Sequence, residues 1–374
     1  MSAKRKICTV TTTRAEYGLL SRLIEKLHKD PEVEFQLIVS GMHLSDKFGN
    51  TISEITQPIT KTLDIEIEAK PSRSAALAVE KFSLAFEELK PDILIILGDR
   101  YEIMGVAMAA MLNNIPIAHI HGGDTTQGAI DEAIRHSVTK MSHLHFVTCE
   151  ENKKRVIQLG ENPSRVFNTG SLGVENIRKT PLMNKNELEK SLEFKLGKKN
   201  LLVTFHPVTL EGNSGAQFRE LLGAFDELKD TSIIITSPNS DTGNEEIFEL
   251  IKEYEKNHPN FKSYKSLGIK RYLSLMQFVD AVVGNSSSGI YEVPCFKIPT
   301  INIGNRQKGR IQANSIINCK PSKNDILRAL EYAYEGDYTN TINPYEKENT
   351  ADNILKILKT FDLNNILEKE FYDL

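Results

Sequence analysis

Ile93-Leu94-Ile95-Ile96-Leu97-Gly98-Asp99-Arg100 joins five consecutive aliphatic residues to a glycine and two opposite charges. A half-exposed strand alternates apolar with polar residues. An unbroken aliphatic run bounded by a turn instead predicts a strand covered by helices on both faces, as in a parallel sheet. Working outward, short apolar runs recur at residues 6–11, 35–39, 117–120 and 145–147, with polar or glycine-rich turns and helical spacing between them. That alternation is the pattern of βαβ units.

The pattern restarts downstream, with runs at residues 201–205, 232–236, 281–283 and 300–303. A chain of 374 residues exceeds what one core usually organises, so two α/β domains are the expected reading and one large barrel the alternative. Residues 179–200 are lysine-rich, contain Pro181 and Gly197 and show no strand pattern, which places the domain connection near or just before them. The expected division is residues 1–175, residues 176–350 and a terminal segment 351–374. Apolar spacing over residues 350–361 predicts a helix that packs back on the first domain. The sequence shows no repeat of solenoid period and no low-complexity tail.

Apolar residues make up 40% and charged residues 26%, values of an ordinary globular chain. No stretch approaches the roughly 18 apolar residues of a membrane span. Residues 1–6 are basic, but residues 7–13 are short and threonine-rich rather than an apolar signal core, so the expected location is the cytoplasm. A net charge of −4 with acids and bases interspersed argues against a nucleic-acid groove or a polybasic membrane patch. Cys8, Cys149, Cys295 and Cys319 form no C-x-x-C spacing and are expected to be reduced, mostly buried thiols.

Ligands of open parallel sheets bind beyond the carboxyl ends of the strands, so the residues after each apolar run matter most. Arg14-Ala15-Glu16-Tyr17-Gly18 follows the first run, Gly41-Met42-His43 the second, Gly98-Asp99-Arg100 the third and His121-Gly122-Gly123-Asp124 the fourth. In the second half the corresponding stretches are His206-Pro207 and Asn285-Ser286-Ser287-Ser288-Gly289. Each has an ordinary reading as a turn or an N-cap. Their recurrence on the same strand ends favours a ligand site. Hydroxyls and free N–H groups at a helix start suit a diphosphate, and Glu292 suits ribose hydroxyls.

A helical reading of residues 130–136 puts Asp131 and Arg135 on one face, either as a surface ion pair or as an acid and a base converging with His121 over a sugar. His119-Ile120-His121 and His143-Leu144-His145 each place two imidazoles on one strand face. Without third-ligand spacing, core histidines are expected rather than a metal site. There is no Walker loop and no G-x-G-x-x-G stretch, so neither ATP nor NAD is indicated, and no metal or cofactor is expected.

Taken in order, these stretches resemble the hydrolysing UDP-N-acetylglucosamine 2-epimerases of bacterial sialic acid biosynthesis. So do Asp131-Glu132-Ala133-Ile134-Arg135-His136-Ser137, Gly170-Ser171-Leu172-Gly173, Phe205-His206-Pro207, Asn239-Ser240-Asp241-Thr242-Gly243, Gly284-Asn285-Ser286-Ser287-Ser288-Gly289 and Arg306-Gln307-Lys308-Gly309-Arg310. The resemblance extends to about Arg310. It implies two Rossmann-like domains in a GT-B-like arrangement with the active site in the interdomain cleft, UDP gripped mainly by the second domain, the sugar facing the first, and a homodimer. By residue matching it implies Ser286, Ser287, Ser288 and Glu292 as the UDP grip, with His206 and Arg310 beside the phosphates. Arg14 would reach across from the first domain, and His43, Arg100 and Asp124 would be further substrate contacts. Asp99, His121, Asp131, Arg135 and His206 match catalytic positions. The chain departs from the family at His121 and Asp124, where many relatives carry Glu.

The implied reaction is anti elimination of UDP across C1 and C2 to a 2-acetamidoglucal, followed by syn addition of water, which releases N-acetylmannosamine and UDP. In that scheme Asp131 or Asp99 removes the C2 proton and His206 assists the leaving group. Arg14, Arg310 and the serine-loop amides stabilise the departing charge. Three alternatives stay open: UDP- or GDP-N,N'-diacetylbacillosamine as substrate for legionaminic acid synthesis, non-hydrolysing epimerisation that keeps UDP attached, and a non-catalytic nucleotide-sugar sensor.

Overall fold

The computed structural model describes residues 4–126, 130–207, 213–238 and 244–374. The stretch Asn239-Ser240-Asp241-Thr242-Gly243 lies outside the described residues. In chain order the elements begin with β1 (Arg5–Thr11), α1 (Arg14–Lys29), β2 (Val33–Ser40), β3 (Lys61–Leu63), α2 (Pro71–Leu89), β4 (Ile93–Leu97), α3 (Tyr101–Leu112) and β5 (Ile117–Ile120). They continue with α4 (Asp131–Met141), β6 (Leu144–Val147), α5 (Glu150–Gln158), β7 (Val166–Asn168), α6 (Leu172–Lys179), α7 (Lys185–Leu192), β8 (Lys199–Thr204), α8 (Ser214–Phe225) and β9 (Thr231–Thr236). The remainder are α9 (Asn244–Asn257), β10 (Phe261–Tyr264), α10 (Gly268–Leu275), β11 (Ala281–Gly284), α11 (Ser288–Tyr291), β12 (Thr300–Ile303), β13 (Ile316–Cys319), α12 (Lys323–Glu335) and α13 (Thr350–Thr360).

The strands form two parallel sheets, ordered β3-β2-β1-β4-β5-β6-β7 and β10-β9-β8-β11-β12-β13. Each sheet starts near its middle, runs to one edge and then crosses to the other side. The order therefore reverses between β1 and β4 and between β8 and β11, which opens a crevice at those carboxyl ends. All nine strands expected from apolar runs are present. The four that were not foreseen, β3, β7, β10 and β13, are the edges of the two sheets. Their residues are mostly half-buried, so they carry no unbroken aliphatic run to read.

Strand side chains alternate between faces, and β4 shows the result. Ile93, Ile95 and Leu97 pack with Leu20, Leu23 and Ile24 of α1 and with Ile354 and Leu358 of α13. Leu94 and Ile96 face the opposite layer, made by Phe82 and Phe86 of α2 and by Ile103 and Val106 of α3. The second sheet carries its own core, with Phe218 and Leu221 of α8, Ile247 of α9 and Ile326 and Leu330 of α12 around Leu201, Ile233, Val283 and Ile301.

Two compact units result: Met1–Asn176 with Tyr345–Leu374, and Ile177–Pro344. The chain thus returns to the first unit through α13. The Glu175 carboxylate accepts from the Ala351 N–H at the start of that helix (2.9 Å), and Arg5 Nη1 donates to the Leu358 and Phe361 carbonyls at its end (2.6 and 2.9 Å). Negative charge at an N-terminus and positive charge at a C-terminus match the helix dipole. Ile354, Leu358 and the following Ile366 are each 2% exposed or less, and burying such a side chain stabilises by about 1.5–3 kcal/mol.

Beyond α13 the tail is anchored by charge. Lys369 donates to Glu161 (2.7 Å), whose carboxylate also accepts from His145 Nε2 (2.9 Å) and Lys140 (2.6 Å). Glu161 is 1% exposed. Burial opposes its ionisation, but the His145 hydrogen bond and the two ammonium groups hold it at about 2. The four cysteines are free thiols, three buried and Cys319 half-buried. Among the described residues no helix is long and apolar enough to cross a membrane.

Candidate active site

In the first unit, the crevice between β1 and β4 is a cavity of about 540 Å³. Its walls come from the residues after the two strands, Thr13, Arg14 and Glu16 on one side and Gly98, Asp99 and Arg100 on the other, with Met42 and Phe48 beside them. Thr13 caps α1 by accepting from the Glu16 N–H (3.2 Å), which fixes how the helix leaves the strand. Arg14, exposed on the first turn of α1, pairs with Glu54 (2.9 Å).

Beneath the cavity Glu16 Oε2 accepts from the N–H and hydroxyl of Thr12 (2.7 and 2.8 Å). The same hydroxyl is 3.2 Å from Glu102 Oε1, which also receives Arg100 Nε. Glu102 is fully buried and Glu16 is 5% exposed. Burial, with the neighbouring Glu102 charge adding to it, pushes the Glu16 carboxyl up to about 7. His43 is buried as well, its ring nitrogens 3.1 Å from Thr11 Oγ1 and 2.8 Å from Thr51 Oγ1. Both nitrogens are thus engaged within the protein, and burial lowers its pKa.

The loop after β5 and the start of α4 carry a second group. Arg135 is buried and bonds Asp99 Oδ2, Thr126 Oγ1 (2.8 Å) and Glu132 Oε2 (3.4 Å). No ion pair joins it to Asp131, the neighbour expected from helical spacing. Asp131 is half-buried on the first turn of α4, and its carboxylate has no hydrogen bond or ion pair among the described residues. Asp124 Oδ1 accepts from the Thr125 N–H (2.9 Å).

His121 stands in the left-handed region, φ +68°, a conformation that non-glycine residues take at tight turns and at functional loops. Its Nε2 is buried without a hydrogen-bond partner among the described residues. Burial lowers the imidazole to about 4 against the opposing pull of Asp124, so it is neutral at physiological pH. The other histidines of the two His-x-His stretches work as core groups. His119 bridges the Gly98 carbonyl (2.8 Å) and Thr139 (3.3 Å), His145 holds Glu161, and His143 Nδ1 accepts from the Ile117 N–H (3.1 Å). No group of three or more potential metal ligands occurs among the described residues.

In the second unit the crevice lies between β8 and β11. Asn285 staples it: Oδ1 accepts from the His206 N–H (2.7 Å) and Nδ2 donates to the His206 carbonyl (2.8 Å). The Asn285 carbonyl in turn accepts from Arg306 and Gln307 (3.1 and 2.8 Å). Gly284 before it has φ +138°, and a Cβ there would lie 2.0 Å from the Thr204 carbonyl oxygen. Ser286, Ser287 and Ser288 are half-buried. Ser288 accepts from the Tyr272 hydroxyl (2.8 Å) and donates to Glu292, while Arg310 stacks its guanidinium 5.3 Å over the Tyr291 ring.

Sequence reading placed the polar loops at strand ends but not the residues that tie them together. Glu102 had a visible signal as the lone charge in an otherwise apolar α3. Glu16 lay within a quoted stretch without a role, and Asn285 sat in the serine loop as one more polar residue. Nothing in the sequence announced the partnership of Arg135 with Asp99.

A family profile described as UDP-N-acetylglucosamine 2-epimerase matches residues 25–359, most of the chain. The chain belongs to the UDP-N-acetylglucosamine 2-epimerase family. Two relatives of this epimerase extend along its length. It is 44% identical to the GDP/UDP-N,N'-diacetylbacillosamine 2-epimerase (hydrolyzing) of Campylobacter jejuni, with 100% of each chain covered. It is 42% identical to the polysialic acid biosynthesis protein P7 of Escherichia coli, covering 99% of this chain and 98% of that one. Its two parallel-sheet α/β units share the fold of the UDP-GlcNAc 2-epimerase of Neisseria meningitidis solved with UDP-GlcNAc bound, at a TM-score of 0.77 and 20% identity, over 94% of this chain and 99% of that one. That fold is GT-B-like.

Proposed function

We propose that this epimerase hydrolyses a UDP-linked 2-acetamido sugar with inversion at C2, converting UDP-N-acetylglucosamine and water to N-acetylmannosamine and UDP. The observation that carries the reading is the group on the first sheet's carboxyl edge: a buried arginine neutralised by Asp99 and, with no partner among the described residues, a buried nitrogen of the neutral His121 and the Asp131 carboxylate. The hydrolyzing relative from Campylobacter jejuni supports the release of free sugar.

In the proposed reaction Asp131 takes the C2 proton because among the described residues no cation holds its carboxylate, whereas Asp99 is engaged by Arg135 and orients it. The C2–H electron pair forms the C1=C2 bond as the C1–O bond breaks and UDP departs. Water then adds its oxygen to C1, and a proton returns to C2 on the face that gives the manno configuration. His206, Arg14, Arg310 and the serine loop are assigned to the UDP leaving group. Proton transfer contributes about 10²- to 10⁴-fold, and stabilisation of the leaving charge carries much of the rest. His43, enclosed by two threonines, supports the loop after β2 rather than touching the sugar.

A second reading keeps the chemistry and changes the sugar to N,N'-diacetylbacillosamine carried on UDP or GDP. The name of the 44% identical relative favours it, and so do Leu19, Met42 and Phe48 in the cavity wall, which suit a less hydroxylated sugar. Proton NMR in deuterated water, following sugar and nucleotide together, tests both. Free UDP with C2-deuterated N-acetylmannosamine supports the first, turnover only of the diacetylbacillosamine nucleotide supports the second, and UDP-N-acetylmannosamine as the product overturns hydrolysis.

A further inference from the structure

Two buried carboxylates and one half-buried guanidinium meet at the first unit's switch point. Glu102, fully enclosed, receives Arg100 Nε on Oε1 and leaves Oε2 buried without a partner. Glu16, which lines the cavity, likewise leaves Oε1 buried and unpartnered. Burying carboxylates this deeply is costly unless they act on something. What they act on is Arg100, whose side chain is 32% exposed and faces the cavity.

Arg100 is held through Nε, so the plane of its guanidinium is set by Glu102 rather than by solvent. Its Nη2 lies 3.9 Å from Met42 Sδ, and among the described residues neither Nη group meets an oxygen acceptor. Those N–H groups point to a ligand. The charge balance narrows its chemistry. The guanidinium carries no excess positive charge, since the Glu102 carboxylate paired with its Nε offsets it. Such a donor gains little from an anion and suits a neutral oxygen such as an amide carbonyl.

We propose that Arg100 donates to the acetamido carbonyl of the sugar, and that Glu102 is the positioning residue that aims it and offsets its charge, so that the pocket selects an amide over a phosphate or a hydroxyl. The proposal rests on the reading of this cavity as the sugar side of the site. It does not depend on which sugar is correct, because both candidates carry a 2-acetamido group. It makes Glu102→Gln informative, since glutamine keeps the shape and the acceptor oxygen but removes the charge that fixes Arg100.

The test is steady-state kinetics on the wild type, Glu102→Gln and Arg100→Lys, reading KM and kcat for UDP-GlcNAc together with the inhibition constants of UDP and UDP-glucose. Loss of a hydrogen bond from a charged donor should raise KM for the acetamido substrate about 10- to 100-fold in both variants, with inhibition by UDP and UDP-glucose unchanged. The double variant should be no weaker than Arg100→Lys alone, because both changes act through one contact. A purely structural role would shift all three ligands together. Equal loss for UDP and UDP-GlcNAc would assign Arg100 to the phosphates, and an unchanged KM would remove the inference; either result overturns it. If Glu102→Gln fails to fold, Arg100→Lys and Arg100→Gln carry the same test. A wild type that turns over no 2-acetamido sugar nucleotide overturns the proposed function itself, whereas wild-type turnover with unaffected variants leaves that function standing and rejects only this contact.

Discussion

The guanidinium of Arg135, on α4, bonds the carboxylate of Asp99, at the end of β4, and so joins two loops of the first sheet's carboxyl edge through one buried ion pair. Arg135 is 4% exposed, so the pair is also a structural commitment.

Asp99→Asn and Asp131→Asn should therefore separate stability from catalysis. Removing the partner of a buried charge costs on the order of 3 kcal/mol, at the low end of the usual range here because Glu132 still faces Arg135. Asp131 has no partner among the described residues, so its substitution should change stability by less than about 0.5 kcal/mol while turnover falls by about 10²- to 10⁴-fold. Urea denaturation beside initial rates reads both. Normal turnover by Asp131→Asn would move the C2 base elsewhere.

Glu16 should make the fold less stable as pH rises. Its carboxyl titrates near 7 in the folded chain against 4.5 as the reference, so the folded state binds more protons between those values. Stability falls with rising pH across that window. Besides burial, the groups acting on it are Thr12, Glu102 and Arg100, and the other charged residues that line the same cavity are Arg14, Glu54 and Asp99. Glu16→Gln removes the titration, and its stability relative to wild type should improve by on the order of 3 kcal/mol between pH 5 and pH 8.5. Parallel pH profiles for the two proteins would contradict this.

Glu161 has the opposite sign. Its pKa is depressed from 4.5 to about 2, so its contribution is complete above 4.5 and is lost as pH falls toward 2. Lys369→Met removes one of its two ammonium partners, leaving Lys140 and His145. Acid unfolding should then begin at higher pH, and chymotryptic cleavage at Phe371 and Tyr372 should become faster at neutral pH. An unchanged acid midpoint would show that Lys140 and His145 suffice.

Gly284→Ala should damage the second unit. The added methyl would meet the Thr204 carbonyl oxygen of the adjacent strand, and φ +138° is unfavourable for any side chain. A loss of about 3 kcal/mol is expected. Hydrogen exchange should show it in β8 and β11 and leave the β1–β4 amides protected.

Much of the fold could be read because a centrally placed parallel strand needs apolar residues on both faces, which leaves a contiguous mark such as Ile93 to Leu97. Edge strands need no such mark, so Lys61–Leu63 and Ile316–Cys319 passed as loops. The site was legible for the same reason: a strand end followed by a polar loop is local in sequence. Its internal pairing was not. Arg135 lies 36 residues from Asp99 and Glu102 lies 90 from Thr12, distances closed only by the sheet order. Helical spacing favoured Asp131 as the partner of Arg135, and the nearby sheet end supplied a better-placed acid.

The return of the chain to its first unit has a consequence for synthesis. Ala351, Ile354, Leu358 and Ile366 are core residues of a unit whose other members precede residue 177. On the ribosome, that earlier stretch emerges with one face of its sheet covered only in part, by α1, and waits while residues 177–344 are made, on the order of ten to thirty seconds at ordinary elongation rates. The later unit has its whole core in one continuous segment and can finish folding first. The nascent first unit is therefore the part that most needs a chaperone, and the exposed layer is the one that α13 eventually closes.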